Sequence, residues 1–142
     1  MKPLTAKWVE KAEEDWRAVL RECRARRGPS WSVVCFHCQQ TVEKLAKALL
    51  TEDLIPFPKS HDLGDLLSRA AAARPALASF VTLAVSLNPF AVQIRYPGLV
   101  PSQSLAQSAV RTARNLRTTL RRELGLIRPR RRKKSRSPKR KK

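Results

Sequence analysis

The chain has 142 residues and a formal net charge of +19, from 30 Lys or Arg against 11 Asp or Glu. That length supports one compact domain and excludes two of comfortable size. A basic excess favours polyanionic partners (nucleic acid, nucleotide phosphates, an anionic membrane) without selecting among them, and three cysteines are too few for a secreted disulfide framework.

The charge is unevenly spread. Arg128 to Lys142 carries eleven Lys or Arg and no acid, which leaves +8 on residues 1–127. Residues 1–127 are therefore read as the domain. Residues 128–142, including RRRKKSRSPKRKK, are expected to be a disordered basic tail, because they have no apolar surface to bury. The N-terminal MKPLTAKWVEKAEEDW is charged throughout and shows no apolar signal region. The most apolar stretch, Ala78 to Val92, is broken by Asn88-Pro89 and is too short to span a bilayer. A soluble, cytoplasmic protein without membrane association is expected.

In chain order, Trp8, Ala12, Trp16, Val19, Leu20 and Cys23 mark a first amphipathic helix from about residue 5 to residue 26. Asp15 lies beside its apolar stripe, where a carboxylate needs a hydrogen-bonding or cationic partner. Gly28-Pro29 closes this helix and Ser30 caps the next. That second helix runs from Trp31 to about Glu52, with Trp31, Val34, Cys35, Cys38, Val42, Leu45, Ala46 and Leu49 on one stripe. Two prolines stiffen the loop at Leu54-Ile55-Pro56-Phe57-Pro58. Ser60 is expected to cap a third helix, SHDLGDLLSRAAAA, with Asp62 in its first turn. A fourth helical run extends from Pro75 to Leu87, and an irregular connection follows from Asn88 to Pro101. The last helix spans Ser102 to about Leu124 on the stripe Leu105, Ala109, Ala113, Leu116, Leu120 and Leu124, with Gly125 ending it. Four to five helices with short connections predict an all-α, up-and-down bundle.

The chemistry concentrates on the second helix. His37, Gln40 and Lys44 share one face, since residues three and four apart are neighbours. They either contact a ligand or partner or link helices. Cys35 and Cys38 form a C-x-x-C, but both fall on the apolar stripe and no second ligand pair completes a zinc site, so packing explains them and no metal is expected. Arg111, Arg114, Arg117 and Arg121 make a cationic stripe on the last helix with no interleaved acid before Glu123. With Arg130, Arg131, Arg132, Lys133 and Lys134 of the tail they are candidates for electrostatic contacts to RNA or DNA. Arg95-Tyr96-Pro97-Gly98 offers a phosphate contact and a stacking ring, or else an ion pair from Arg95 to a bundle carboxylate such as Asp15 or Glu43. With four glycines in all, a glycine-rich phosphate loop is excluded, and no cofactor is indicated.

FHCQQTVEKLAKALL (36–50), SHDLGDLL (60–67) and RYPG (95–98), at these separations, resemble a HEPN domain of the stand-alone prokaryotic type over roughly residues 5–125. The resemblance implies a helical bundle that often dimerises and frequently pairs with a separately encoded minimal nucleotidyltransferase, as in toxin–antitoxin systems. Many HEPN domains are metal-independent ribonucleases marked by an arginine followed, after four to six residues, by a histidine. Here positions 30–32 are Ser, Trp and Ser, and positions 54–56 are Leu, Ile and Pro, so neither His37 nor His61 has that arginine. No catalytic residue is assigned. The expectation is a non-catalytic, homodimeric accessory subunit that binds nucleotide or nucleic acid through His37, Gln40, Lys44, Arg95 and Tyr96. The alternatives are a ribonuclease toxin with an unconventional site and a stand-alone basic nucleic-acid-binding module.

Overall fold

The structure, a computed structural model, describes residues 1–92, 96–98 and 100–127. Among these residues there are six α-helices and no strand: α1 (Pro3–Cys23), α2 (Trp31–Glu52), α3 (Leu63–Ala73), α4 (Val81–Val85), α5 (Pro89–Val92) and α6 (Gln103–Glu123), with a 3-10 segment at Pro75–Phe80 leading into α4. The all-α bundle predicted from periodicity is what the chain forms. Arg95, the tail residues Arg130, Arg131, Arg132, Lys133 and Lys134, and the proposed disorder of 128–142 lie outside the described residues.

The second helix is the axis of the bundle. From Thr41 to Leu50 every residue except Lys44 is buried, and a helix buried on nearly all sides must have neighbours all around it. Those neighbours are α1 and α6 along its length, with α3 and α5 covering the rest. The core joins Trp16 and Val19 of α1, Val42, Leu45 and Leu49 of α2, Leu63, Leu66 and Leu67 of α3, Phe90 of α5, and Leu116 and Leu120 of α6.

Four details differ from the sequence expectations. The first helix stops at Cys23, five residues before Gly28, because the apolar stripe runs out into Arg24, Arg26 and Arg27; the Ser30 amide then donates back to Glu22 Oε1 at 2.6 Å. The cap of α3 is Asp62 rather than Ser60: its Oδ1 accepts from the Gly64 and Asp65 amides at 2.9 and 3.4 Å, while Ser60 Oγ accepts from the Asp62 amide. The run after Pro75 is divided between the 3-10 segment and the short α4. Finally, the connection after Asn88 contains α5, one turn that buries Phe90 and Ala91. Asn88 holds that turn against the start of α3, accepting from the Leu63 amide (2.9 Å) and donating to Asp62 Oδ1 (3.0 Å).

Two helices end in the same way. After α6 the Gly125 amide donates to Arg122 O and the Leu126 amide to Arg121 O, with Gly125 at φ 74°. After α2 the Leu54 amide donates to Thr51 O and the Ile55 amide to Leu50 O. Both are the paired hydrogen bonds of a Schellman motif. In the second, however, the left-handed position is held by Leu54, at φ 56° and 77% exposed, where a Cβ is unfavourable. Leu54→Gly is expected to raise the unfolding free energy by up to about 1 kcal/mol, and Gly125→Ala to lower it by about 1 kcal/mol, both measured by urea titration.

Candidate functional site

The polar residues of α2 form a seam of two carboxylate clusters. In the first, Asp15 of α1 is 7% exposed against α2. The His37 Nδ1–H donates to its Oδ1 at 2.7 Å and Lys44 Nζ to its Oδ2 at 2.5 Å. The partner that Asp15 requires is therefore supplied twice, from positions two turns apart on one face of α2. His37 links helices, and its bond to a carboxylate fixes which ring nitrogen carries the proton.

In the second cluster Glu43 is 3% exposed. Lys47 Nζ donates to Oε1 at 2.7 Å, Gln39 Nε2 and Gln40 Nε2 donate to Oε2 at 3.0 and 2.9 Å, and His61 Nδ1 lies 2.9 and 3.1 Å from the two oxygens. Burial works to raise the Glu43 pKa. The hydrogen bonds from Lys47 and Gln39, the Lys47 charge and the His61 hydrogen bond outweigh it, and the carboxyl is held below its ordinary value. Lys47, itself 8% exposed, is also held over the Trp8 ring at 5.6 Å, a cation–π contact that offsets part of its lost hydration. His61 differs from the rest: its ring is 58% exposed while Nδ1 is anchored on a buried carboxylate.

The candidate residues thus fall into three settings. His37 and Lys44 meet on Asp15, and Gln40 joins Glu43. Tyr96 stands exposed, apart from both clusters in the sequence, and Arg95 lies outside the described residues. Gln39, Glu43, Lys47 and Asp15 complete the seam although none stood out as a site residue. The row Gln39, Glu43, Lys47 at spacing four was the available signal.

The arginine stripe of α6 is divided by its surroundings. Arg117 and Arg121 both pair with Glu13 of α1, at 2.5 and 2.9 Å, so their charge is shared with an acid. Arg114 and Arg117 lie over the Trp16 ring at 5.7 and 5.3 Å. Arg111 and Arg114 are exposed and form no ion pair with any described residue. The same holds for Arg17, Arg21, Arg24, Arg26 and Arg27, on the half of α1 and the loop nearest to them. Net positive charge therefore gathers at one end of the bundle.

Cys35 and Cys38 are fully buried free thiols in the core, and burial pushes both up, Cys35 to about 11. They pack as apolar residues, as the stripe predicted. Among the described residues no group of three or more His, Cys, Asp or Glu side chains could hold a metal, and no helix is long and apolar enough to cross a membrane.

Removing Glu43 leaves Lys47 buried without its counter-ion, so Glu43→Ala is expected to cost about 3–5 kcal/mol in urea unfolding. The pH dependence has a defined sign. A carboxyl whose folded pKa lies below its unfolded value contributes stability that is fully present above that ordinary value, 4.5, and lost as pH falls through the folded one. Glu43→Gln is therefore expected to flatten the acid limb of the urea-midpoint profile below about pH 5.

The HEPN domain family model matches residues 5–123, from the first turn of α1 to the last residue of α6. No curated protein and no solved structure matches the chain. Since the match spans the helical bundle and most of the sequence, the chain belongs to the HEPN domain family.

Proposed function

We propose that this chain is a non-catalytic HEPN subunit that binds nucleotide or nucleic acid, acting as a homodimeric accessory to a minimal nucleotidyltransferase in a toxin–antitoxin-like pair. Family membership supports a nucleotide- or RNA-related function in general. The observation that carries the finer reading is the set of exposed arginines without acidic partners: Arg111 and Arg114 on α6, which share a cavity wall with Cys23, and Arg17, Arg21, Arg24, Arg26 and Arg27 on the half of α1 around Cys23 and the loop after it. Uncompensated like charges on one small domain repel one another, and a polyanion relieves that repulsion by replacing small counter-ions.

The non-catalytic part of the reading is supported by the fate of the histidines. Each holds a buried carboxylate through Nδ1, and neither has an arginine four to six residues before it. A metal-independent ribonuclease with an unconventional site is the second reading. It is favoured by one observation, the exposed His61 ring oriented by Glu43, an arrangement that also suits a general base.

A labelled single-stranded RNA is expected to bind the purified protein with an affinity that falls roughly tenfold or more as salt rises from about 50 to about 200 mM. Protein ending at residue 127 is expected to retain part of that affinity, and Arg111→Glu with Arg114→Glu to remove most of what remains. If truncation alone abolishes binding, the tail is the binder and the bundle contributes nothing.

A further inference from the structure

Between the C-terminal end of α1 and the N-terminal half of α6 the surface opens into a cavity of about 390 Å³, lined by Cys23, Trp31, Gln107, Val110, Arg111 and Arg114. Its volume falls within the range of small-molecule pockets. Its wall combines two kinds of group. Arg111 and Arg114 stand three residues apart on one face of α6, with no carboxylate paired to either among the described residues. Trp31 and Val110, both half-buried, supply aromatic and apolar surface beside them. Gln107 adds a side chain that can both donate and accept hydrogen bonds.

We infer that this cavity is a nucleotide site, in which a base lies against Trp31 and its phosphate is held by Arg111 and Arg114. The assignment rests on the nucleic-acid-binding reading above and gives it a location away from the His37–Lys44 seam. Lys44 is already paired with Asp15, and Lys47 with Glu43, so the seam offers no uncommitted cation to a phosphate. Further along α6, Arg117 and Arg121 are likewise paired with Glu13. Arg111 and Arg114 are the α6 arginines of the stripe left for an anion. The Trp16 ring beneath Arg114 restrains its guanidinium, which lowers the entropy lost when it binds a phosphate. A bare phosphate would leave Trp31 and Val110 unused. A flat base joined to a phosphate uses both halves of the wall, because stacking on an aromatic ring is open to every base. The ligand is either a free nucleotide or one nucleotide unit of a single strand.

Cys23 makes the site testable directly. It is exposed in the cavity wall, whereas Cys35 and Cys38 are buried, so alkylation of the native protein by iodoacetamide reads out this one position. The full chain is alkylated with a mixture of nucleoside 5′-monophosphates, with a short oligonucleotide, with nucleosides or with inorganic phosphate, and modification of Cys23 is followed by mass spectrometry. Protection by the monophosphates supports a free-nucleotide site, and protection by the oligonucleotide alone supports a strand unit; nucleosides and phosphate are expected to protect far less. Arg111→Ala, at an exposed position, is expected to weaken the protecting ligand by about tenfold, the worth of one charge-assisted hydrogen bond. Unchanged Cys23 reactivity with every ligand, or protection that persists equally in Arg111→Ala and Arg114→Ala, overturns the assignment. Oligonucleotide binding followed by fluorescence anisotropy separates the two levels. Binding without protection removes this site only, whereas absence of any binding removes the broader reading with it.

Discussion

A carboxylate taken out of water must be met by cations and donors, and α2 lies at the centre of two such requirements. Asp15 comes to it from α1 and is held by His37 and Lys44; Glu43 sits on it and is held by Gln39, Gln40, Lys47 and His61. Each cluster joins elements far apart in sequence, α1 to α2 in one case and the segment before α3 to α2 in the other. Hydrophobic burial alone is tolerant of small rotations and slides. A buried ion network is not, because a displaced partner leaves a charge uncompensated. The seam therefore supplies register to a bundle whose remaining core is largely Leu, Ala and Val.

The same use of acids shapes the outer surface. Glu13 takes up Arg117 and Arg121; Asp53 and Glu123 take up Arg74, whose guanidinium ties the end of α2 to the end of α6; Glu52 takes up Lys2. With 11 acids against 30 Lys and Arg in the whole chain, this pairing cannot cover every cation. Glu10, Glu13, Glu14 and Asp15 lie in the middle of α1, Glu52 and Asp53 close α2, and Glu123 closes α6, while Glu22 on the last turn of α1 is taken up by the Ser30 amide. The end formed by the last turns of α1 and the first half of α6 is left positive, and it is there that an aromatic-walled cavity opens. The placement of these scarce carboxylates thus decides both which contacts are braced by ion pairs and which arginines keep an uncompensated charge.

Much of this was legible from the sequence, and the exceptions have physical causes. Spacing of three and four located α1, α2 and α6, since long helices repeat the signal over several turns. It missed α5, because one turn contains a single repeat and Pro89 reads as a breaker although it is tolerated at a helix start. Asp15 could be recognised as a buried acid in need of a partner, and His37 and Lys44 as sharing a face, but nothing local connects α1 to α2. The division of the arginine stripe was invisible for the same reason: Glu13 lies 104 residues from Arg117. Trp31 falls on the apolar stripe and packs there in part; only the approach of α6 shows that it also lines a cavity.

Two roles are proposed for this HEPN chain: its histidines hold structure, and its arginines bind RNA without cutting it. Incubation of an end-labelled RNA pool with the purified protein in a metal chelator tests them most directly, with binding followed in the same samples. Intact RNA together with salt-sensitive binding is the predicted result. Cleavage by the wild-type chain that is lost in folded His61→Ala or His37→Ala protein would contradict them and would make the carboxylate-anchored imidazole a catalytic group.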